Sequence, residues 1–324
     1  MFNAWKFKNK NPKELFTLAA SQYSYWLSFI ILLIIAVIVN PQFLAWSNLT
    51  NQFVQGAIVG ICAMGMSLII SAGMIDLSVG SAAALISGLG ITVLNSTHSI
   101  FLTLLFSLAA GAMAGLINGL LVTKGRIAPF IVTLASMAAL RSVINQIGQG
   151  GPFTVKLELY QDFRNIAAGS WLFIPNLMLF FILITVVTAL IMSKTKFGVY
   201  VYATGSNQQA ARLSGVNVDR VKTGIFVYAG LLYGFAAFLL ASRLTSIQAA
   251  SAGSAYEMDA IAAVAIGGTA MEGGRGKIIG TFLGVLMLRI ISTVLIMANV
   301  PPFLNGLVQG IIIIVAVLAQ NKKR

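Results

Sequence analysis

Lys194 to Lys222, KTKFGVYVYATGSNQQAARLSGVNVDRVK, is the longest polar interruption in a chain that otherwise reads as one apolar run after another. It carries five basic residues, Lys194, Lys196, Arg212, Arg220 and Lys222, against one acid, Asp219. Short loops rich in Lys and Arg stay on the cytoplasmic side of a membrane, so this one is expected to face the cytoplasm. Within it, Thr204 and Ser206 are placed to cap a helix through Asn207 to Ser214, and Gly215 can take the left-handed conformation that ends one. The expected product is a helix of about two turns that lies between two spans and crosses nothing. Its surface is polar at Asn207, Gln208, Gln209, Arg212 and Ser214, with Ala210, Ala211 and Leu213 as an apolar contact patch. Such an element suits docking in a groove of another protein; a solvated linker has the same composition.

Around that loop, composition fixes the class. Of 324 residues 58% are hydrophobic and 9% charged, and mean hydropathy is strongly positive, a balance that excludes a soluble globular domain of this length. The net charge of +13 sits in short clusters between apolar runs, as topology signals do; nucleic-acid binding is rejected. Cys62, the one cysteine, lies inside an apolar run, which excludes an intrachain disulfide or a cysteine metal site. The N-terminal lysines 6, 8, 10 and 13 precede a first apolar run of full length with no small-residue cleavage site after it, so the first helix is expected to be retained.

Ten segments read as spans: 23–40, 53–73, 79–95, 100–123, 127–147, 171–193, 223–243, 257–271, 277–299 and 303–320. The long ones meet the requirement of about 20 apolar residues for a bilayer core. Segments 79–95 and 257–271 are short and rich in Gly, Ala and Ser, and are expected to be tilted, broken or partly re-entrant. With the tail 1–22 inside, 16 of the 21 Lys and Arg fall on the cytoplasmic side, while the outer loops 41–52, 96–99, 245–256 and 300–302 hold none. The expected fold is therefore an all-α polytopic membrane protein, one domain over 1–324, with about ten transmembrane helices and both termini cytoplasmic. IAPF at 127–130 and VPPF at 300–303 hint at an inverted five-helix repeat; Pro is also an ordinary helix opener.

Four stretches carry a family resemblance. FGVYVYATGSNQQAARLSGVNVDRVK from the long loop, SAGMIDLSVGS at 71–81, TKGRIAPFIVTLASMAALR at 123–141 and AYEMDAIAAVAIGGTAMEGGRGKIIGTFLGVL at 255–286 resemble the permease subunits of bacterial ABC importers for ribose and related sugars. The resemblance implies a permease in the bacterial cytoplasmic (inner) membrane that forms the pathway for a monosaccharide such as ribose. It implies a second permease copy or a paralogue beside it, and an extracytoplasmic sugar-binding protein that delivers the substrate. It also implies a cytoplasmic ABC ATPase, docked on the coupling loop 194–222 through Gly205, Asn207, Ala210, Arg212, Leu213, Ser214 and Gly215. The partner hydrolyses ATP, and this chain binds no cofactor. Two departures bear on the substrate: Met74 stands where the family tends to have glycine, and the outer loop 148–170 is short. Nucleosides and other small polar solutes stay open.

The remaining polar residues fit several roles. Asp76 stands at the junction of the second and third spans, before Ser78 and Ser81, where a carboxylate can cap the third helix; gating or contact with the ATPase is the other reading. A proton relay needs further intramembrane carboxylates or histidines, and none accompanies it. Glu257 and Asp259 open the eighth segment at the outer face, as caps or as partners of a docking binding protein. Arg289, near the middle of the ninth span, costs at least ~2.5 kcal/mol to insert unless paired or hydrated, so a polar environment is expected around it. Arg141 and Arg243 lie near outer helix ends and are expected to snorkel to water. Ser67, Ser71, Asn118, Thr133, Ser136 and Asn145 are candidates to line a sugar pathway, or to glue helices together.

No chemistry of its own is expected of the chain. Gly267-Gly268 and Gly273-Gly274-Arg275-Gly276 punctuate the backbone, and without the Lys-Ser/Thr ending of a phosphate-binding loop they make no ATP site. His98 is the one histidine, with no metal cluster or nucleophile–base pair. A stand-alone secondary carrier would place charges in several spans, and an intramembrane enzyme would cluster acids, histidines or a metal; neither pattern occurs.

Overall fold

A computed structural model describes residues 24–301 together with 304, 306–308, 310, 311 and 314. The chain runs α1 (Ser24–Val39), a 3-10 turn Pro41–Leu44, α2 (Trp46–Ser71), α3 (Val79–Thr97), α4 (Ile100–Thr123), α5 (Pro129–Gly148), β1 (Pro152–Thr154), α6 (Leu157–Ala168), β2 (Ser170–Trp171) and β3 (Ile174–Pro175). It continues through α7 (Asn176–Lys194), α8 (Lys196–Ser206), α9 (Gln208–Leu213), α10 (Val218–Leu244), β4 (Ser246–Gln248), α11 (Tyr256–Ile266) and α12 (Ile278–Met297). Among the described residues seven helices, α2, α3, α4, α5, α7, α10 and α12, are long and apolar enough to cross a membrane. This is a multi-pass membrane protein. The tail 1–22 and most of the tenth segment, 303–320, lie outside the described residues.

Several expectations are corrected. Segment 79–95 is unbroken: α3 is a continuous helix of 19 residues. Segment 257–271 is short, as expected, because α11 stops at Ile266 and Gly268 turns the chain at φ +83°. α2 starts at Trp46 and α10 at Val218, ahead of the apolar runs, because hydropathy marks the bilayer and helices continue beyond it; Asn217 caps α10 by accepting the Arg220 amide at 3.0 Å. The fold is not wholly α: β1 pairs antiparallel with β4, Phe153 opposite Ile247, and β2 pairs with β3. These strands join loops at one end of the bundle, where backbone freed from helices must find partners.

The bundle is organised on α2 and α10. α2 is buried throughout from Gly56 to Ser71, and α10 packs beside it. α4 meets α10 through glycines: a Cβ on Gly115 would stand 2.1 Å from the Phe226 carbonyl oxygen, and one on Gly234 would stand 2.1 Å from that of Ser107. Small residues let the two backbones touch, which is how helices associate where lipid removes the hydrophobic drive. α4, α5 and α7 present apolar faces outward, for example at Phe101, Ile117, Ile131, Leu183 and Leu190.

The two ends of the bundle differ. At one, Asn95 bonds Thr154 and Lys156, and His98 pairs with Glu158 at 2.9 Å. At the other, Thr123 meets Thr223 at 3.2 Å, and α8 packs on the end of α2 and on the 270–276 turn. The basic segments around Lys124, Lys194–Lys222 and Arg275 gather at this second end, as the distribution of charge along the sequence anticipates.

Candidate functional site

The long loop folds as two helices rather than one. Asn207, extended at φ −162°, breaks the helix after Ser206, and its Oδ1 accepts the Ala210 amide at 2.9 Å. Asn207 is thus the cap expected of Thr204 and Ser206; Thr204 is buried inside α8, which Thr195 caps by accepting the Gly198 amide at 3.3 Å. α9 is six residues long and closes as expected, with Gly215 at φ +82° and the Val216 amide donating to the Ala211 carbonyl.

Of the expected apolar patch, Ala211 turns inward, while Ala210 is exposed and Leu213 is 85% exposed. Arg212 donates to Asp219 at 3.1 Å and Lys222 to Gln208 at 3.0 Å. Both bonds clip α9 back onto α10. Arg212, Gly215 and Asp219 line a shallow cleft of about 350 Å³. Asn207, Arg212, Leu213, Ser214 and Gly215 stand on the open surface.

Gly205 faces the other way, which corrects its expected place on a docking surface. A Cβ there would lie 2.0 Å from the Ser71 carbonyl oxygen and 2.6 Å from the Gly274 amide nitrogen. The Gly274 amide donates to that same Ser71 carbonyl at 2.9 Å, and the Tyr202 hydroxyl donates to the Gly276 carbonyl at 2.9 Å. Burial raises the Tyr202 phenol above its ordinary range, so it stays protonated and keeps donating. The end of α8, the end of α2 and the 270–276 turn form one backbone joint, with the Ser71 hydroxyl buried and without a hydrogen-bond partner among the described residues.

Asp76 does not cap a helix. Its carboxylate accepts the amide of Ser78 at 2.8 Å and the hydroxyl of Ser78 at 2.6 Å, and Ser78 is the residue before α3 rather than within its first turn. Asn118 of α4 donates to the Ser78 hydroxyl at 3.1 Å, and Ser136 of α5 donates to the Asn118 side-chain oxygen at 2.5 Å. Thr133 donates to the Ile75 carbonyl at 3.3 Å. Two of the six pathway candidates, Asn118 and Ser136, therefore join Asp76 and Ser78 in one polar network at the basic end, and Thr133 bonds the backbone beside it. Ser67 stands apart, accepting from Thr281 of α12 at 3.2 Å. Asn145 is exposed toward the far end of α5.

Nearer the far end, Arg289 has the partner that the sequence left unnamed: it donates to Asp259 at 2.7 Å, with both side chains about four-fifths buried. Glu257 and Asp259 stand in the first turn of α11, where a helix start favours acids, although Ala255, the residue before the helix at φ +64°, receives no side-chain cap; Asp259 also reaches across to α12. Glu257 packs against α3, with a carboxylate oxygen 2.6 Å from where a Cβ on Gly80 would stand. Arg243 donates to the Val54 carbonyl at 3.2 Å and to Gln55 at 2.9 Å, and Arg141 donates to the Ala249 carbonyl at 2.9 Å. Both arginines stand near the outer helix ends, as expected, and each guanidinium also binds protein acceptors there.

The family described as branched-chain amino acid transport system / permease component matches residues 48–317. Over 298 residues, 92% of each chain, the sequence is 43% identical to the ribose import permease protein RbsC of Bacillus subtilis (strain 168). It is 35% identical over 302 residues to the protein of the same name in Escherichia coli (strain K12), covering 92% of this chain and 93% of that one. The L-arabinose ABC transporter permease protein AraH of Azospirillum brasilense is 33% identical over 296 residues, 91% of this chain and 86% of its own. No solved structure matches the chain.

Proposed function

Because this chain belongs to the branched-chain amino acid transport system permease family, we propose that it is the membrane-spanning subunit of an ATP-driven importer of a monosaccharide, with ribose the first candidate. The observation that carries this reading is the likeness to sugar-import permeases along nine-tenths of the chain. A permease of this kind sits in the bacterial cytoplasmic membrane with its basic end inward, beside a second copy or a paralogue. A binding protein delivers the sugar from outside. ATP is hydrolysed by a separate cytoplasmic subunit.

In this account the ATPase grips α9, with exposed Leu213 as the apolar anchor and Asn207, Arg212, Ser214 and Gly215 around it. Two features support transmission from that grip. α9 is clipped to α10 through Arg212–Asp219 and Lys222–Gln208, and α8 is seated by Gly205 on the end of α2. A push on α9 therefore reaches the two helices on which the bundle is organised. The Asp76–Ser78–Asn118–Ser136 network lies at the same end and joins the α2–α3 connection to α4 and α5. We assign it the part of an inner gate, in which hydroxyl and amide groups exchange protein partners for those of a passing sugar.

Labelled ribose uptake tests the reading, in cells stripped of their own ribose permease and given this chain with its ATPase and binding protein. Restored uptake that excess ribose abolishes supports it, and failure with every sugar refutes it. Competition by a nucleoside, and not by sugars, would favour the second reading, a nucleoside or other small polar solute permease of the same build. Ribose flux in cells that receive the chain alone would favour a stand-alone carrier.

A further inference from the structure

The hairpin β2–β3 has a two-residue tip, Leu172-Phe173, with φ +49° and +68°. Two consecutive positive φ values are the signature of the turn that Asn-Gly or Gly-Gly makes without strain, and bulky residues adopt them at a cost. The local geometry thus argues against Leu and Phe at the tip. Nothing among the described residues compensates, since Trp171, Leu172 and Phe173 are 66%, 70% and 88% exposed. The base is held firmly: Asn176 donates its side-chain amide to the carbonyls of Asn165 and Ile166 at 3.1 Å, and its backbone amide to Gly169 at 3.0 Å. The tip is held out from α6 rather than left loose.

We propose that this hairpin is a wedge seated in the outer leaflet of the bilayer, with Trp171, Leu172 and Phe173 in contact with lipid. Depth is the first argument. α7 begins at Asn176 and its 19 residues span about 28 Å, close to the hydrocarbon thickness, so the hairpin directly before it falls at the interface on the side away from Lys194. Composition is the second, because tryptophan and apolar neighbours are the residues of that layer. Charge is the third: no Asp, Glu, Lys or Arg occurs between Arg164 and Lys194. That run explains why the hydropathy pattern opens a span at 171, five residues before α7. A soluble partner would call for a polar rim, and a stable contact with a second copy for more than ~1,000 Å² of buried surface, whereas three side chains supply a few hundred at most.

Spin labelling of the full chain in lipid nanodiscs tests the assignment. Phe173→Cys, and separately Leu172→Cys so that one unfolded variant does not decide the matter, are made in a Cys62→Ala background, which leaves one thiol. Collision with oxygen, which concentrates in lipid, is compared with collision with a water-soluble nickel chelate. The proposal predicts oxygen accessibility severalfold above that of nickel at both positions. Nickel accessibility above that of oxygen places the tip in water and overturns it. Low accessibility to both places the tip against protein, a second copy, and overturns it equally.

Discussion

Arg289 and Asp259 are joined at 2.7 Å across the contact between α12 and α11, with both side chains largely buried. Removing one partner of such a pair strands the other charge. Asp259→Asn is expected to destabilise the protein by about 3–5 kcal/mol, while Asp259→Leu combined with Arg289→Met recovers most of the loss. Thermal unfolding of the three proteins in one detergent checks the order.

The Asp76 network predicts a graded series. Asn118→Leu leaves the Ser136 hydroxyl without its acceptor and takes one donor from the Ser78 hydroxyl, which keeps Asp76, at about 1–3 kcal/mol for the stranded group. Ser136→Ala removes a single bond and costs about 1 kcal/mol. Denaturation midpoints should fall in that order, and ribose uptake should fall with them if the network is the inner gate.

Two glycines of the long loop separate by mechanism. Gly205→Ala drives a methyl group into the Ser71 carbonyl, and is expected to cost about 1–3 kcal/mol or more as the joint is forced apart. Gly215→Ala meets nothing within 4 Å and costs only the left-handed backbone, about 1–2 kcal/mol. A melting comparison should find Gly205→Ala the more damaging, and Gly215→Ser should behave like Gly215→Ala.

The docking role of α9 is tested by Arg212→Glu with Gly215→Pro. The first breaks the clip to Asp219, and the second cannot hold φ +82°. Uptake is expected to fall at least about tenfold, a loss of about 1.4 kcal/mol in coupling, with the ATPase no longer retained on affinity purification. Intact uptake would show that the motor binds elsewhere.

Much of this was legible in the sequence, and the failures have physical causes. Segment 100–123 coincides with α4, because Ser99 caps it by accepting the Leu102 amide and its apolar run fills the helix. The turn at Gly215 was legible because few residues other than glycine accept its backbone. α6 was not, because Glu158, Gln161, Asp162 and Arg164 read as loop. Its buried face depends on Ser242, which accepts from Ala167 and donates to the Phe163 carbonyl from 75 and 79 residues away. The convergence of Asp76, Asn118 and Ser136 was equally hidden: each was a candidate alone, and only packing shows that they bond one another. Arg289 announced its need for a partner, but spacing along a chain does not say which carboxylate lies across the helix contact.

This chain is expected to conduct sugar only when a separate ATPase drives it. The most direct measurement is labelled ribose flux into proteoliposomes that hold the purified chain, with and without its ATPase and binding protein. The account predicts no flux from the chain alone, and ATP-dependent accumulation when all components are present. Ribose flux through the chain alone, or accumulation indifferent to ATP, would contradict it.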